Sequence, residues 1–211
     1  MNLDSSGMWL EGVERLEAGD VGGRLERPEA VVIHYAAGAN RAGDLETLTS
    51  PGAPRVSAHL HLSRVGMITQ MVAFDRVAFH AGASRWEGRE NLNLWSLGIE
   101  LENWGPLTRR TNDELRITNY VSWSGAEVDA GRAMEVVGAY WEKFHCVQVW
   151  ELVRVLRCLW GQFPLRFVLG HSDVAPGRKL DPGPAFPMAM LRGFVNEWNK
   201  RRGDPQKARE T

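Results

Sequence analysis

The sequence predicts a single-domain α/β fold, and three observations point to it. Residues 30–35 (AVVIHY) and 166–169 (RFVL) are short apolar runs bounded by turn signals, the pattern of strands buried on both faces. Two stretches of helical period, 145–159 and 187–200, each carry an apolar stripe suited to packing on a sheet. The length of 211 residues suits one domain, which at that size buries roughly 70% of the surface its unfolded chain exposes.

Taken in order, residues 1–28 are polar, glycine-containing and weakly periodic, and are expected to form an N-terminal arm laid over the domain. The domain proper spans 29–201. Its first strand, 30–35, ends on His34, and open α/β sheets bind ligands beyond the carboxyl ends of their strands. A short helix over 40–48 is capped by Asn40 and stopped by Ser50, Pro51, Gly52 and Pro54. Residues 58–62 alternate around His59 and His61, 63–66 make a turn and 67–72 return, which is a hairpin. His80 sits in a small-residue loop, AFHAGA, where a backbone can approach a ligand closely, and 86–93 reads as a polar loop.

Residues 95–103 (WSLGIELEN) predict a strand with Leu97, Ile99 and Leu101 on one side and Ser96, Gly98, Glu100 and Glu102 on the other. An acid in such a strand is costly to bury without a partner, and Glu100 lies deeper in the run than Glu102. The stretch 104–130 is the least regular; with a turn at Ser124-Gly125, it reads as an insertion (about 105–140) beside the site, where Tyr120 and Trp123 either line a groove or pack. Helical period is expected from Gly131 onward. It is clearest over 145–159, where Val149, Leu152, Val153, Leu156 and Leu159 form the packed face and Gly161 and Pro164 end the helix. The last helix starts near Pro187 and packs Met190, Leu191, Phe194 and Trp198, and residues 202–211 form a polar tail expected to fray.

Composition excludes some functions. A net charge of -1 with 24% charged residues makes nucleic acid an unexpected partner. Cys146 and Cys158, twelve apart, give neither a CxxC pair nor a disulfide framework and are expected to be buried thiols. The N-terminus lacks the basic and apolar regions of a signal peptide, and no stretch is long enough to span a bilayer, so a cytoplasmic protein is expected. Nine tryptophans fit either a carbohydrate-facing surface or ordinary packing.

The chemistry concentrates in residues 170–183, GHSDVAPGRKLDPG. His171 and Asp181 are metal-ligand types, Lys179 lies between them, and Pro176, Gly177, Pro182 and Gly183 stiffen or bend the backbone. The alternative is a surface turn with a solvated Lys-Asp pair. If the strands ending at His34 and His171 are parallel neighbours, the two imidazoles lie side by side and Asp181 completes a trio, the ligand set of a catalytic zinc that keeps one position open. Lys179, two before Asp181 in an extended segment, then points toward the metal and can stabilise an oxyanion, and Glu100 can act as general base. His59 and His61 on one strand face are a competing metal pair, ranked lower because no acid or cysteine accompanies them at close spacing.

The chain resembles the zinc N-acetylmuramoyl-L-alanine amidases shared by bacterial peptidoglycan-recycling enzymes, phage amidases and peptidoglycan recognition proteins. The resemblance runs from AVVIHY through SAHLHL, FHAGASRWEGRENLN and SLGIELEN to GHSDVAPGRKLDPGPAF, the last being highly specific. It implies a mixed central sheet with helices packed on it, a zinc site at one end, and hydrolysis of the amide between N-acetylmuramic acid and L-alanine in peptidoglycan or muropeptides. By resemblance His34, His171 and Asp181 match the zinc ligands, Glu100 the catalytic acid and Lys179 the lysine of the family's R-K-x-D-P-G run. His59 and His80 fall where relatives line the substrate cleft, and Arg178 is a candidate for a stem-peptide carboxylate, or else is solvated. Two departures, Ala36-Ala37 after Tyr35 and the turn SRVG, bear on substrate fit. A non-catalytic peptidoglycan-binding module is the alternative, and the complete ligand set argues for the enzyme. Recycling of soluble muropeptides and lysis of intact wall both remain open.

Overall fold

The computed structural model describes residues 1–38, 40–112 and 117–203, so residues 204–211 of the expected tail and residues 113–116 of the insertion lie outside the described residues. In chain order its strands are β1 (Glu14–Arg15), β2 (Ala30–Tyr35), β3 (Leu60–Leu62), β4 (Ile68–Gln70), β5 (Arg85–Trp86), β6 (Arg89–Glu90) and β7 (Ser96–Leu101). They continue with β8 (Pro106–Asn112), β9 (Ile117–Val121), β10 (Glu127–Val128), β11 (Ala133–Val136), β12 (Ala139–Glu142) and β13 (Phe167–Gly170). The helices are α1 (Arg41–Thr49), α2 (Cys146–Gln162), α3 (His171–Val174) and α4 (Met188–Arg201).

The central sheet has six strands in the order β1-β4-β3-β7-β2-β13. It is mixed: β3, β7, β2 and β13 run parallel to their neighbours, and the β3–β4 hairpin is antiparallel. Ala30, Val31, Val32 and Ile33 of β2 are wholly buried, as a strand covered on both faces requires. Alternation then sorts the layers. Val31, Ile33, Leu60, Leu62, Leu97 and Ile99 face one core with Leu152, Leu156 and Leu159 of α2 and Leu191 and Val195 of α4. Each fully buried leucine there contributes roughly 1.5–3 kcal/mol. The alternate positions, His34, His59, His61, Ser96, Gly98 and Glu100, are thereby turned to the opposite face. The polar residues of the chain's most apolar strands therefore share one side, away from the two long helices.

Several elements differ from the sequence expectation. Helical period was expected from Gly131, but β11 and β12 form a hairpin there and the helix begins only at Cys146. The stretch read as irregular is a second, antiparallel sheet, β10-β9-β8-β12-β11, inserted between β7 and α2. The polar loop over 86–93 contains the small β5–β6 hairpin. Gly161 lies within α2, and in α4 the fully packed residues are Leu191, Val195 and Asn199, while Met190 is 40% exposed. Cys146 is exposed and Cys158 half-buried, because both fall off the buried stripe of α2. Residues 1–28 run beside β4, where β1 pairs with it in parallel and the Leu10 N–H donates to Gln70 Oε1 at 2.7 Å. Among the described residues no helix is long and apolar enough to cross a membrane.

A buried acid joins the two sheets. Glu142, 1% exposed at the end of β12, accepts from Arg64 Nε at 3.0 Å in the β3–β4 turn, from Arg132 Nε at 2.9 Å and from the Trp104 N–H at 2.6 Å. Glu142→Ala leaves those donors without their acceptor and is expected to destabilise the protein by about 3–5 kcal/mol. Arg132→Ala, which removes a side chain that is 43% exposed, should cost about 1 kcal/mol or less. Urea unfolding of the two variants checks this, and equal losses would show that Glu142 is not the joint.

Candidate metal centre

The parallel pairing of β2 with β13 sets Ile33 opposite Gly170, so the next residue of each chain, His34 and His171, emerge together at the carboxyl ends of the strands. The turn through Pro176 and Gly177 brings Asp181 back to them. His34 Nδ1 lies 2.9 Å from His171 Nδ1 and 3.0 Å from Asp181 Oδ2, and His171 Nδ1 lies 2.9 Å from the same oxygen. All three residues are buried, at 1%, 3% and 6% exposure.

The protons on these rings follow from their outer partners. The Ser96 hydroxyl donates to the Leu92 carbonyl at 2.6 Å, so it can only accept from His80 Nε2, 3.4 Å away. A neutral His80 with its proton on Nε2 has a bare Nδ1, which accepts from His34 Nε2 at 3.0 Å. Burial lowers His34 to about 4 and His80 well below the ordinary histidine range, so both rings are neutral at pH 7. His34 then spends its only proton on His80 and its Nδ1 is bare. His171 Nε2 lies 3.0 Å from the Ala81 carbonyl, and in the tautomer that donates to it Nδ1 carries no proton. In those tautomers two nitrogen lone pairs and a carboxylate oxygen converge on one point, a donor set that a divalent metal ion fits.

Glu100 stands in register with His34 on one side and His61 on the other. It is 9% exposed and its Oε2 has no hydrogen-bond partner among the described residues. Burial pushes its carboxyl well above the ordinary range, the Asp181 and Asp44 carboxylates raise it further, and Lys179 opposes them. His34, Glu100, His171, Lys179, Asp181 and Trp123 all line one cleft of about 820 Å³. Glu102, the other acid of the pair, is taken up by Arg64, whose backbone N–H donates to it at 3.0 Å.

The remaining predicted residues divide between the core and the cleft. His59 is fully buried and does not line the cleft, since Gly98 N–H donates to its Nδ1 at 3.0 Å and its Nε2 donates to the Arg76 carbonyl at 2.9 Å. His61 does not pair with His59 on a metal; its Nε2 lies 3.0 Å from Asp44 Oδ2. His80 does line the cleft, as the partner that orients His34. Arg178 reaches the cleft too, but its Nη2 donates to the Ala81 and Ala83 carbonyls, both at 2.7 Å.

Sequence reasoning missed three supports of the site. Asp44 comes from α1, and the signal for it was an acid in the helix directly after His34. Asn93 Oδ1 accepts from the His80 and Ala81 N–H groups at 3.1 and 2.8 Å and so holds the AFHAGA loop. Gly98 admits the His80 ring, because a Cβ there would sit 2.3 Å from His80 Cγ.

Residues 24–184 match the family described as N-acetylmuramoyl-L-alanine amidase. The chain is 36% identical over 145 residues to the 1,6-anhydro-N-acetylmuramyl-L-alanine amidase AmpD of Escherichia coli K12, covering 68% of this chain and 60% of that protein. It is 32% identical over 174 residues to the N-acetylmuramoyl-L-alanine amidase AmiD of the same organism, covering 78% and 52%. The chain therefore spans about three fifths or less of the length of these curated relatives. The crystal structure of a selenomethionine AmpD derivative superposes with a TM-score of 0.66 at 30% identity, covering 92% of this chain and 99% of the other. AmiD from E. coli, solved with the substrate anhydro-N-acetylmuramic acid-L-Ala-D-γ-Glu-L-Lys, superposes with a TM-score of 0.59 at 28% identity, covering 90% and 64%. With more than half of its length matched and its sheet, cleft and histidine-aspartate cluster arranged as above, the chain belongs to the N-acetylmuramoyl-L-alanine amidase family.

Proposed function

We propose that this protein is a zinc-dependent amidase that hydrolyses the amide between the lactyl group of N-acetylmuramic acid and L-alanine in 1,6-anhydro-muropeptides. The observation that carries this reading is the convergence of three metal-ligand atoms, His34 Nδ1, His171 Nδ1 and Asp181 Oδ2, in the cleft that also holds Glu100 and Lys179. Those three side chains would hold the ion, two imidazoles and a carboxylate being a zinc set that leaves a position for substrate or water. When bound, zinc supplies Lewis-acid polarisation of the scissile carbonyl and a lowered pKa for water.

The protein's own groups do the rest. Glu100, kept a strong base by burial and by Asp181 and Asp44, takes one proton from the attacking water and passes it to the amide nitrogen, so that L-alanine leaves as an amine. Its Oε2 has no other partner to give up first. Lys179 bears on both His34 and Glu100 through its charge, and an ammonium so placed stabilises the oxygen that becomes negative as the carbonyl is attacked. His80 fixes the proton of His34 on Nε2 and keeps Nδ1 free. The substrate class is supported by the AmpD relatives, named for 1,6-anhydro-N-acetylmuramyl-L-alanine, and by the anhydromuropeptide bound to AmiD. A cytoplasmic setting, where such soluble fragments would be met, belongs to the same proposal.

Three results test it. The purified protein should carry about one zinc ion per chain, release L-Ala-D-γ-Glu-L-Lys from the anhydromuramoyl peptide, lose that activity to a chelator and regain it with zinc. A zinc-loaded protein that releases no peptide would refute the amidase reading. Glu100→Gln should keep its zinc while kcat falls on the order of 10²- to 10⁴-fold, and a wild-type kcat would move the base to another group. Gly98→Ala should displace His80 and weaken zinc binding about 10- to 100-fold, read by competition with a chromophoric chelator; unchanged affinity would mean that His80 does not set the tautomer of His34.

A further inference from the structure

The inserted sheet sends one large side chain into the cleft. Trp123, in the turn between β9 and β10, is 73% exposed and lines the same cavity as His34, Glu100 and Lys179. Its indole N–H donates to the Ala37 carbonyl at 2.8 Å, in the loop that follows the His34 strand. That bond satisfies the ring's one polar group and fixes its orientation, so what Trp123 offers the cleft is an apolar π face held in place before any ligand arrives.

The chemistry of that face selects its ligand. A pyranose ring presents a patch of C–H bonds on one side and hydroxyls at its edge, which matches an indole face whose N–H is already used. The stem peptide of the substrate proposed above has small or charged side chains and carboxylates, which suit the cationic members of the cleft, Arg55, Arg178 and Lys179. We propose that Trp123 is the platform on which the muramic acid ring stacks, so that the inserted sheet holds the sugar side of the scissile amide. This inference rests on the reading of the protein as a muropeptide amidase.

The test compares two substrates with the same scissile bond, anhydro-N-acetylmuramoyl-L-Ala-D-γ-Glu-L-Lys and the sugar-free D-lactoyl-L-Ala-D-γ-Glu-L-Lys, using the zinc-loaded full chain. Trp123→Ala should lower the ratio of their kcat/KM values about tenfold. Trp123→Phe, which keeps a ring but loses the bond to Ala37, should lower it by less than about threefold. An unchanged ratio in Trp123→Ala, or an equal drop in both variants, overturns the platform, the second outcome assigning Trp123 to anchoring the Ala37 loop. A separate arm titrates 1,6-anhydro-N-acetylmuramic acid alone and follows the Trp123 indole resonance by NMR. The wild-type resonance should shift on saturation, and an unmoved resonance also overturns the proposal. If neither peptide is cleaved while the indole still shifts, the amidase reading fails and the sugar platform stands.

Discussion

Two imidazole nitrogens and a carboxylate oxygen lie buried within 3.0 Å of one another, and the surroundings of His34, His171 and Asp181 hold them aimed at one point. Each imidazole is also held from outside the cluster. His171 is tied through Nε2 to the Ala81 carbonyl, and His34 through Nε2 to His80, whose own proton is committed toward Ser96. The AFHAGA loop that supplies both partners is held by Asn93 from within and by Arg178 from the cleft side. Gly98 leaves the room in which His80 lies.

The second sheet bears on the same centre. Trp141 of β12 packs over Gly183, where a Cβ would sit 2.5 Å from the indole and φ is +78°, so the turn carrying Asp181 tolerates only glycine at that point. Glu142, the next residue, fastens β12 to the β3–β4 turn through Arg64. One short strand thus supports the turn that carries Asp181 with one residue and ties the insertion to the central sheet with the following one. Arg64 has a further consequence, since by engaging Glu102 it leaves Glu100 as the carboxylate of that strand with a free oxygen.

What the sequence made legible was what alternation and turn chemistry encode locally. The β2 and β13 strands stand out as apolar runs, and a histidine at the end of each needs only parallel pairing to become a pair. The GRKLDPG turn announces itself through its prolines and glycines. Residues 105–112 and 117–142 were illegible because charged and hydroxyl residues on a sheet with one solvated face leave no clean period, and the helical pattern of α2 extends backward into them only when its cap, His145, goes unrecognised. His59 and His61 look equivalent in sequence. Only the fold assigns the first to Gly98 and Arg76 and the second to Asp44.

Charge balance gives the cleft its final constraint. Asp44, Glu100 and Asp181 are all buried and all face it, and two of them have companions in His61 and the His34–His171 pair. Glu100 has none among the described residues, and burial, with the Asp181 and Asp44 carboxylates beside it, holds its pKa well above the ordinary range. A dication at the three donors would offset Asp181 and lower the cost of ionising Glu100, just where a base is needed. In the proposed mechanism, holding the ion and readying the base are one electrostatic problem, and the parallel register sets His34 beside Glu100.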